Sequence, residues 1–274
     1  ITLSSLDSIE VFKTVSADQD ANAPAGTINL RSKRAFDRKG RRIAWSANLT
    51  GFSEDLTLNR TFGPDDRRKR KIRPGGSLEY SDIFLNQRLG LVFNVTSSDV
   101  YSVFSQYSIG YNYSPTAADP RPAVVTTLNP LYGARTNEAF TTTLTADFKA
   151  TPNLVLSLGA IYNTVDLWYF MRLTTFTAVN RALVVGGDPL RSFSSGTNNG
   201  RVAVNPQGIN KKGKNITYTP RFEYKLGDLT VDGRFALAES ESWYSPNSWD
   251  AVYNTNSPTL NNVTFQASRS HHSS

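Results

Sequence analysis

The feature that most constrains this chain is how its strand-like stretches are joined. From Arg42 onward, apolar and polar residues alternate with a period of two, as in a sheet with two unlike faces. Ile43, Trp45, Ala47 and Leu49 alternate with Ala44, Ser46, Asn48 and Thr50. Leu78, Tyr80 and Phe84 mark a second strand. Leu89, Leu91, Phe93, Val95, Tyr101, Val103, Tyr107, Ile109 and Tyr111 mark a third. Phe140, Leu144 and Phe148 define a fourth, Leu154, Leu156, Leu158 and Tyr162 a fifth, Ile216, Tyr218, Phe222 and Tyr224 a sixth, and Leu229, Val231, Phe235 and Leu237 a seventh. The connections alternate strictly between long and short. The short ones are Leu85-Asn86-Gln87, residues 150–153 and Gly227-Asp228; the long ones are expected near 53–74, 113–136, 178–212 and 239–262. Hairpin loops usually have about 2–5 residues, and structureless loops beyond about 12–15 are uncommon. Four long loops at one end of a sheet therefore exclude most β architectures.

Up-and-down strands with short turns on one side and long loops on the other describe an outer-membrane barrel. The faces agree: Leu, Val, Phe and Tyr would meet lipid, while Thr, Ser, Asn and charged residues would line a wet lumen. The expected fold is all-β, a partial antiparallel up-and-down transmembrane β-barrel of about seven to eight strands from a larger barrel. A soluble β-rich carbohydrate-binding domain is the competing reading. It requires Leu89, Leu91 and Phe93, with Leu154, Leu156 and Leu158, to pack on a second sheet. Asp99 falls on the apolar face, but counted from Arg88 it lies at the outer rim beside Tyr101, past the roughly 9–11 residues of a tilted crossing. Pro220 cannot donate to a β ladder, so a bulge or a gap in pairing is expected there.

Composition removes several chemistries. The chain has no Cys, and its two His are His271 and His272, side by side. A cysteine nucleophile, a His-dependent triad and a multi-His metal site within the fold are excluded. No acidic pair has an apolar pocket to raise its pKa, so no catalytic residue, metal ligand or cofactor is assigned. No run of about 18 apolar residues offers a membrane helix. Net charge is +7, and the run at 67–73 (RRKRKIR) reads as a solvated loop balanced by Glu54, Asp55, Asp65 and Asp66, with lipopolysaccharide phosphates the functional alternative. No compact basic face with base-stacking aromatics is evident, so no nucleic-acid partner is expected. Trp243, Tyr244 and Trp249 are candidates for stacking on a ligand, against simple loop or girdle packing. Trp168-Tyr169-Phe170 reads as outer-rim packing. Arg221, Glu223, Lys225, Asp232 and Arg234 form charge ladders on the inner face, which either hold a plug or simply hydrate the lumen.

The first 40 residues read differently. Ile9-Glu10-Val11-Phe12-Lys13 is a short strand ending in lysine; a polar loop leads to Ala25-Gly26 and a second strand, Thr27-Ile28-Asn29-Leu30, before a basic connector. This arrangement resembles the end of the plug domain of TonB-dependent outer-membrane receptors. In that family an IE-V-x-K strand and a Gly-Gly-x-(Ile/Val)-Asn-(Ile/Leu) strand precede the barrel. Ala25 stands where the family has its first glycine. The resemblance implies that residues 1–40 are the C-terminal part of a plug and 41–274 the N-terminal part of a barrel. Ile9, Glu10, Val11, Lys13, Gly26, Ile28, Asn29 and Leu30 would be the plug motif. It further implies a fragment of a non-enzymatic receptor in the bacterial outer membrane, which takes up a scarce large solute (siderophore, haem, cobalamin or glycan). Its partners would be the TonB complex, through a more N-terminal part, and outer-membrane lipid and lipopolysaccharide. A passive porin or structural barrel is the alternative, and would lack the plug.

Overall fold

The structure, a computed structural model, describes residues 6–12, 27–32, 34–37, 40–61, 68–186, 191–244, 252–254 and 258–268. Lys13, Gly26 and Trp249 lie outside them, as do Asp65 and Asp66. Strands β1 (Leu6–Phe12) and β2 (Thr27–Ser32) pair antiparallel as a separate two-stranded sheet. A short 3-10 turn, Ala35–Asp37, follows. Then come β3 (Arg42–Thr50), β4 (Arg73–Phe84), β5 (Leu89–Asn112), β6 (Val124–Lys149), β7 (Leu154–Ala178), β8 (Arg191–Ser194) and β9 (Gly200–Leu226). The chain closes with β10 (Leu229–Arg234), β11 (Leu237–Tyr244), β12 (Val252–Asn254), β13 (Thr259–Val263) and β14 (Gln266–Ser268).

The main sheet is an antiparallel up-and-down meander, ordered β3-β4-β5-β6-β7-β9, with β10, β11, β12 and β13 running back in turn along β9 as one interrupted strand. Among the described residues there is no α-helix. The sheet is open: β3 forms one edge and β10–β13 the other, and among the described residues no pairing joins them. The fold is therefore all-β and up-and-down as expected, without the closure that defines a barrel.

All three short turns form where the sequence places them. Leu85, Asn86 and Gln87 take positive φ (55°, 53° and 65°), and Arg88 N–H donates to the Phe84 carbonyl at 3.1 Å. Gly227 has φ 56°, which glycine adopts at no steric cost. At Pro220 the expected gap is present. β10 ends opposite Arg221 and β11 resumes opposite Tyr218, so Phe235 and Ala236 fall outside the ladder in an unchanged register. Phe235 N–H still donates to the Pro220 carbonyl at 2.9 Å. The reciprocal bond is missing because proline has no N–H.

The long strands exceed the sequence expectation. β6 begins at Val124 and runs through Pro130, which shortens the connection expected at 113–136. β9 begins at Gly200 and runs through Pro206 rather than starting near Ile216. The loop expected at 239–262 folds back as the rest of β11 with β12 and β13. The strand expected at 263–267 is split, its end leaving the sheet to pair β14 with β8. Long neighbours supply the hydrogen bonds that Pro, Gly and Asn seemed to deny. At Pro130 the ladder lapses only toward β7, while Tyr107 of β5 still pairs with it.

Candidate functional site

Residues opposite one another in the register share a face, so the two surfaces of the lower part of the main sheet, its short-turn end, can be read directly. Ser81, Val92, Thr145 and Gly159 form one row of the polar face; Glu79, Asn94, Thr143 and Ile161 form the next. On the other face lie Tyr80, Phe93, Leu144, Ala160 and Tyr218, with Leu78, Val95, Thr142, Tyr162 and Ile216 one row above. The polar face is the buried one: Glu79, Ser81, Asn94, Thr141 and Asp147 are all shielded. The apolar face is exposed. Trp45 is 76% exposed, Leu156 43% and Leu158 41%, and Ile43, Leu49, Phe222, Val231 and Leu237 continue the patch. Among the described residues no second sheet covers Leu156 and Leu158. Asp82 enters this face near its lower end, where Arg41 Nε donates to it at 2.8 Å and the Tyr80 hydroxyl at 3.1 Å.

The segment after the hairpin sits on the polar face. Asp147 of β6 is 1% exposed. It accepts hydrogen bonds from Arg34 Nη2 at 3.1 Å and Nε at 3.3 Å, and from the Ser157 hydroxyl at 2.6 Å. Lys149 Nζ lies 4.3 Å from the centre of the Phe36 ring, a cation–π contact. Gly90 makes room for the turn: a Cβ there would come within 2.8 Å of Ala35 Cβ. Sequence reasoning missed Asp147 as an anchor. Its only signal was a carboxylate among threonines on the polar face.

In the hairpin itself, Ile9 pairs with Leu30, Glu10 with Asn29 and Val11 with Ile28. The motif residues on the two strands thus come together, whereas Lys13 and Gly26 lie outside the described residues. Part of the inner-face charge ladder pairs along its own strand. Glu223 accepts from Arg221 at 2.6 Å and faces Lys225 at 2.7 Å, so these charges satisfy one another along β9.

The basic run and the aromatic candidate Trp243 meet at the other end of the apolar face. Asp99, Glu138, Asp166, Lys212 and Trp243 lie directly across five strands in one row. Arg73 pairs with both Asp99 and Glu138, the latter at 2.9 Å, and Lys69 also reaches Glu138. Lys212 lies 3.6 Å from Asp166. Lys71 donates to Asp55 at 2.6 Å, as does the Tyr101 hydroxyl at 2.6 Å. Burial pushes the Asp55 carboxyl up, but these two hydrogen bonds outweigh it and leave the group below the usual carboxylate range. Of the acids expected to balance the run, Asp55 does so, and Asp99 and Glu138 of the strands also pair with it; Asp65 and Asp66 lie outside the described residues. With Phe140, Tyr162 and Lys214, the row lines a groove of about 450 Å³.

Of the expected aromatic candidates Trp243, Tyr244 and Trp249, the last lies outside the described residues. Trp243 pairs opposite Lys212 and Tyr244 opposite Lys211, so the two rings point to opposite faces. Trp168 is buried in the row with Thr136 and Asn210, and Tyr169 packs edge-on against Phe104 at 6.3 Å on the other side. No metal-binding group of side chains occurs among the described residues. No family model, curated protein or solved structure matches this chain.

Proposed function

We propose that this chain is part of a bacterial outer-membrane receptor for TonB-energised uptake of a scarce, large solute, containing the end of a plug and the first strands of a barrel. The observation that carries this reading is the inverted lower sheet, with polar residues buried and large apolar residues exposed. Monomeric soluble proteins rarely expose contiguous apolar patches beyond a few hundred Å². Against hydrocarbon the same surface is favourable, and the polar face can line a lumen. The dimensions fit. Leu154 to Tyr162 spans nine residues of β7, which at about 3.3 Å each and about 45° of tilt gives roughly 21 Å, against an apolar band of about 25 Å. The seat of Arg34 and Phe36 on the polar face favours a plugged receptor over a plain pore, because it leads directly from the hairpin bearing Ile9–Leu30 into the lumen side.

The test is cell fractionation of the full-length protein, followed by electrophoresis with and without heating. A detergent-dependent, heat-modifiable protein in the outer-membrane fraction is expected. Recovery in the soluble fraction without detergent would sink the proposal.

A further inference from the structure

We propose that the rim groove beside Trp243 binds a phosphorylated membrane lipid, with its head group in the groove and its acyl chains on the apolar face; this rests on the membrane reading above. The position comes first. The groove sits where the exposed apolar band ends, one row above Phe140 and two above Tyr162, both partly exposed. An occupant therefore meets charge and indole above and aromatic surface below, with the apolar face continuing beneath it.

The charges are unevenly distributed. At the β5–β6 end, Asp99 and Glu138 are already taken by Arg73 and Lys69. At the β9 end, Lys212 reaches Asp166 only at 3.6 Å. Lys214, one row nearer the apolar band, has no ion-pair partner among the described residues. Glu241 stands opposite it in register but is exposed on the neighbouring strand and makes no ion pair with it. Two ammonium groups therefore flank the 40% exposed indole of Trp243. Lys can lay its apolar stem along the band while its head stays polar. A phosphate placed between Lys212 and Lys214 would gain both charges, as anionic lipid head groups do beside basic side chains at a membrane surface. A soluble anion would use the lysines but not the aromatic lower wall, which is why the occupant is assigned as a lipid.

The experiment uses the full-length protein in nanodiscs of a zwitterionic lipid, doped with lipid A or with its dephosphorylated form, and reads co-purifying lipid by native mass spectrometry. Wild type should retain the phosphorylated form roughly tenfold over the other, and the double variant Lys212→Gln/Lys214→Gln should bring the ratio near unity. Lys211→Gln, on the opposite face, should leave it unchanged. Equal retention of both lipids by wild type, or an unaltered ratio in the double variant, overturns the lipid site alone. Displacement of the lipid by excess inorganic phosphate would show a soluble-anion site and overturn the lipid assignment. A chain that never enters the bilayer overturns this proposal together with the membrane reading.

Discussion

Arg181 Nε donates to Asp119 at 3.0 Å across 62 residues of sequence, and both side chains are less than a tenth exposed. The pair joins the 113–123 connection to the 179–199 connection. Arg121 closes the same knot, donating to Asp119 at 2.7 Å and to the Val184 carbonyl at 2.9 Å, while Arg181 also donates to the Arg121 and Ser114 carbonyls. Beside it, Val124, Ala178, Val184 and Phe193 form a small core with Phe265 and Ala267. The described parts of these two connections thus form a lobe with its own packing. Arg181→Ala should open it, raising protease cleavage within 179–199 by roughly tenfold while the strands stay protected. Unchanged cleavage would show that the knot does not hold the lobe.

The same knot sets a pH dependence. The Arg121 guanidinium, helped by Arg181, holds the Asp119 carboxyl well below the usual carboxylate range despite its burial. A depressed carboxylate contributes stability that is in place above its unfolded pKa, about 3.9, and is lost only as pH falls through the lower folded value. Protection of the lobe should therefore be flat from neutral pH to about 4 and decline below that. Hydrogen exchange of residues 179–186 as a function of pH checks this, and a loss centred between pH 5 and 6 would contradict it.

Arg34→Ala and Asp147→Asn should each free the segment at Ala35–Asp37. Arg34 is part-exposed, so solvent screens the pair, and a cost of about 1–3 kcal/mol is expected rather than the larger value of a fully buried one. Thermal unfolding and hydrogen exchange at residues 34–37 measure it. The exchange Arg34→Asp with Asp147→Arg should recover part of the loss, which a simple packing role for either residue would not allow.

The apolar face yields the sharpest contrast. Leu158→Arg places a cation on the exposed face, where it should cost about 2–4 kcal/mol near a bilayer midplane and reduce assembled protein in membranes. Thr143→Lys, on the polar face, should assemble nearly normally. In water the order would reverse, since Leu158 is already 41% exposed. Assembly yields in the two variants decide between these environments.

Leu85 is 63% exposed and held at φ 55°. Leu85→Gly removes the Cβ clash of the left-handed conformation at the expense of greater unfolded-state entropy, for a net gain of about 0.5–1 kcal/mol. A higher melting temperature in detergent is the expected result. No change, or a decrease, would mean that the leucine side chain compensates for its backbone.

By itself the sequence determined what is local: the two unlike faces of each strand, the turns at 85–87, 150–153 and 227–228, and the broken ladder at Pro220. These follow from side-chain alternation, positive-φ turns and a missing N–H, all decided within a few residues. It also picked out the strands at 8–12 and 27–30, which pair in the structure. Only the tertiary structure decided the length of the long strands, because residues such as Pro130 and Pro206 are kept in extended form by ladders from neighbours far along the chain. The same holds for the contacts at the candidate sites. Arg34 finds Asp147, Arg73 finds Asp99 and Glu138, and Lys212 comes to lie across from Trp243 through the register of strands that are adjacent in space. An ion pair between distant residues leaves no periodic trace in either segment, so the pairing register had to be known before these partners could be named.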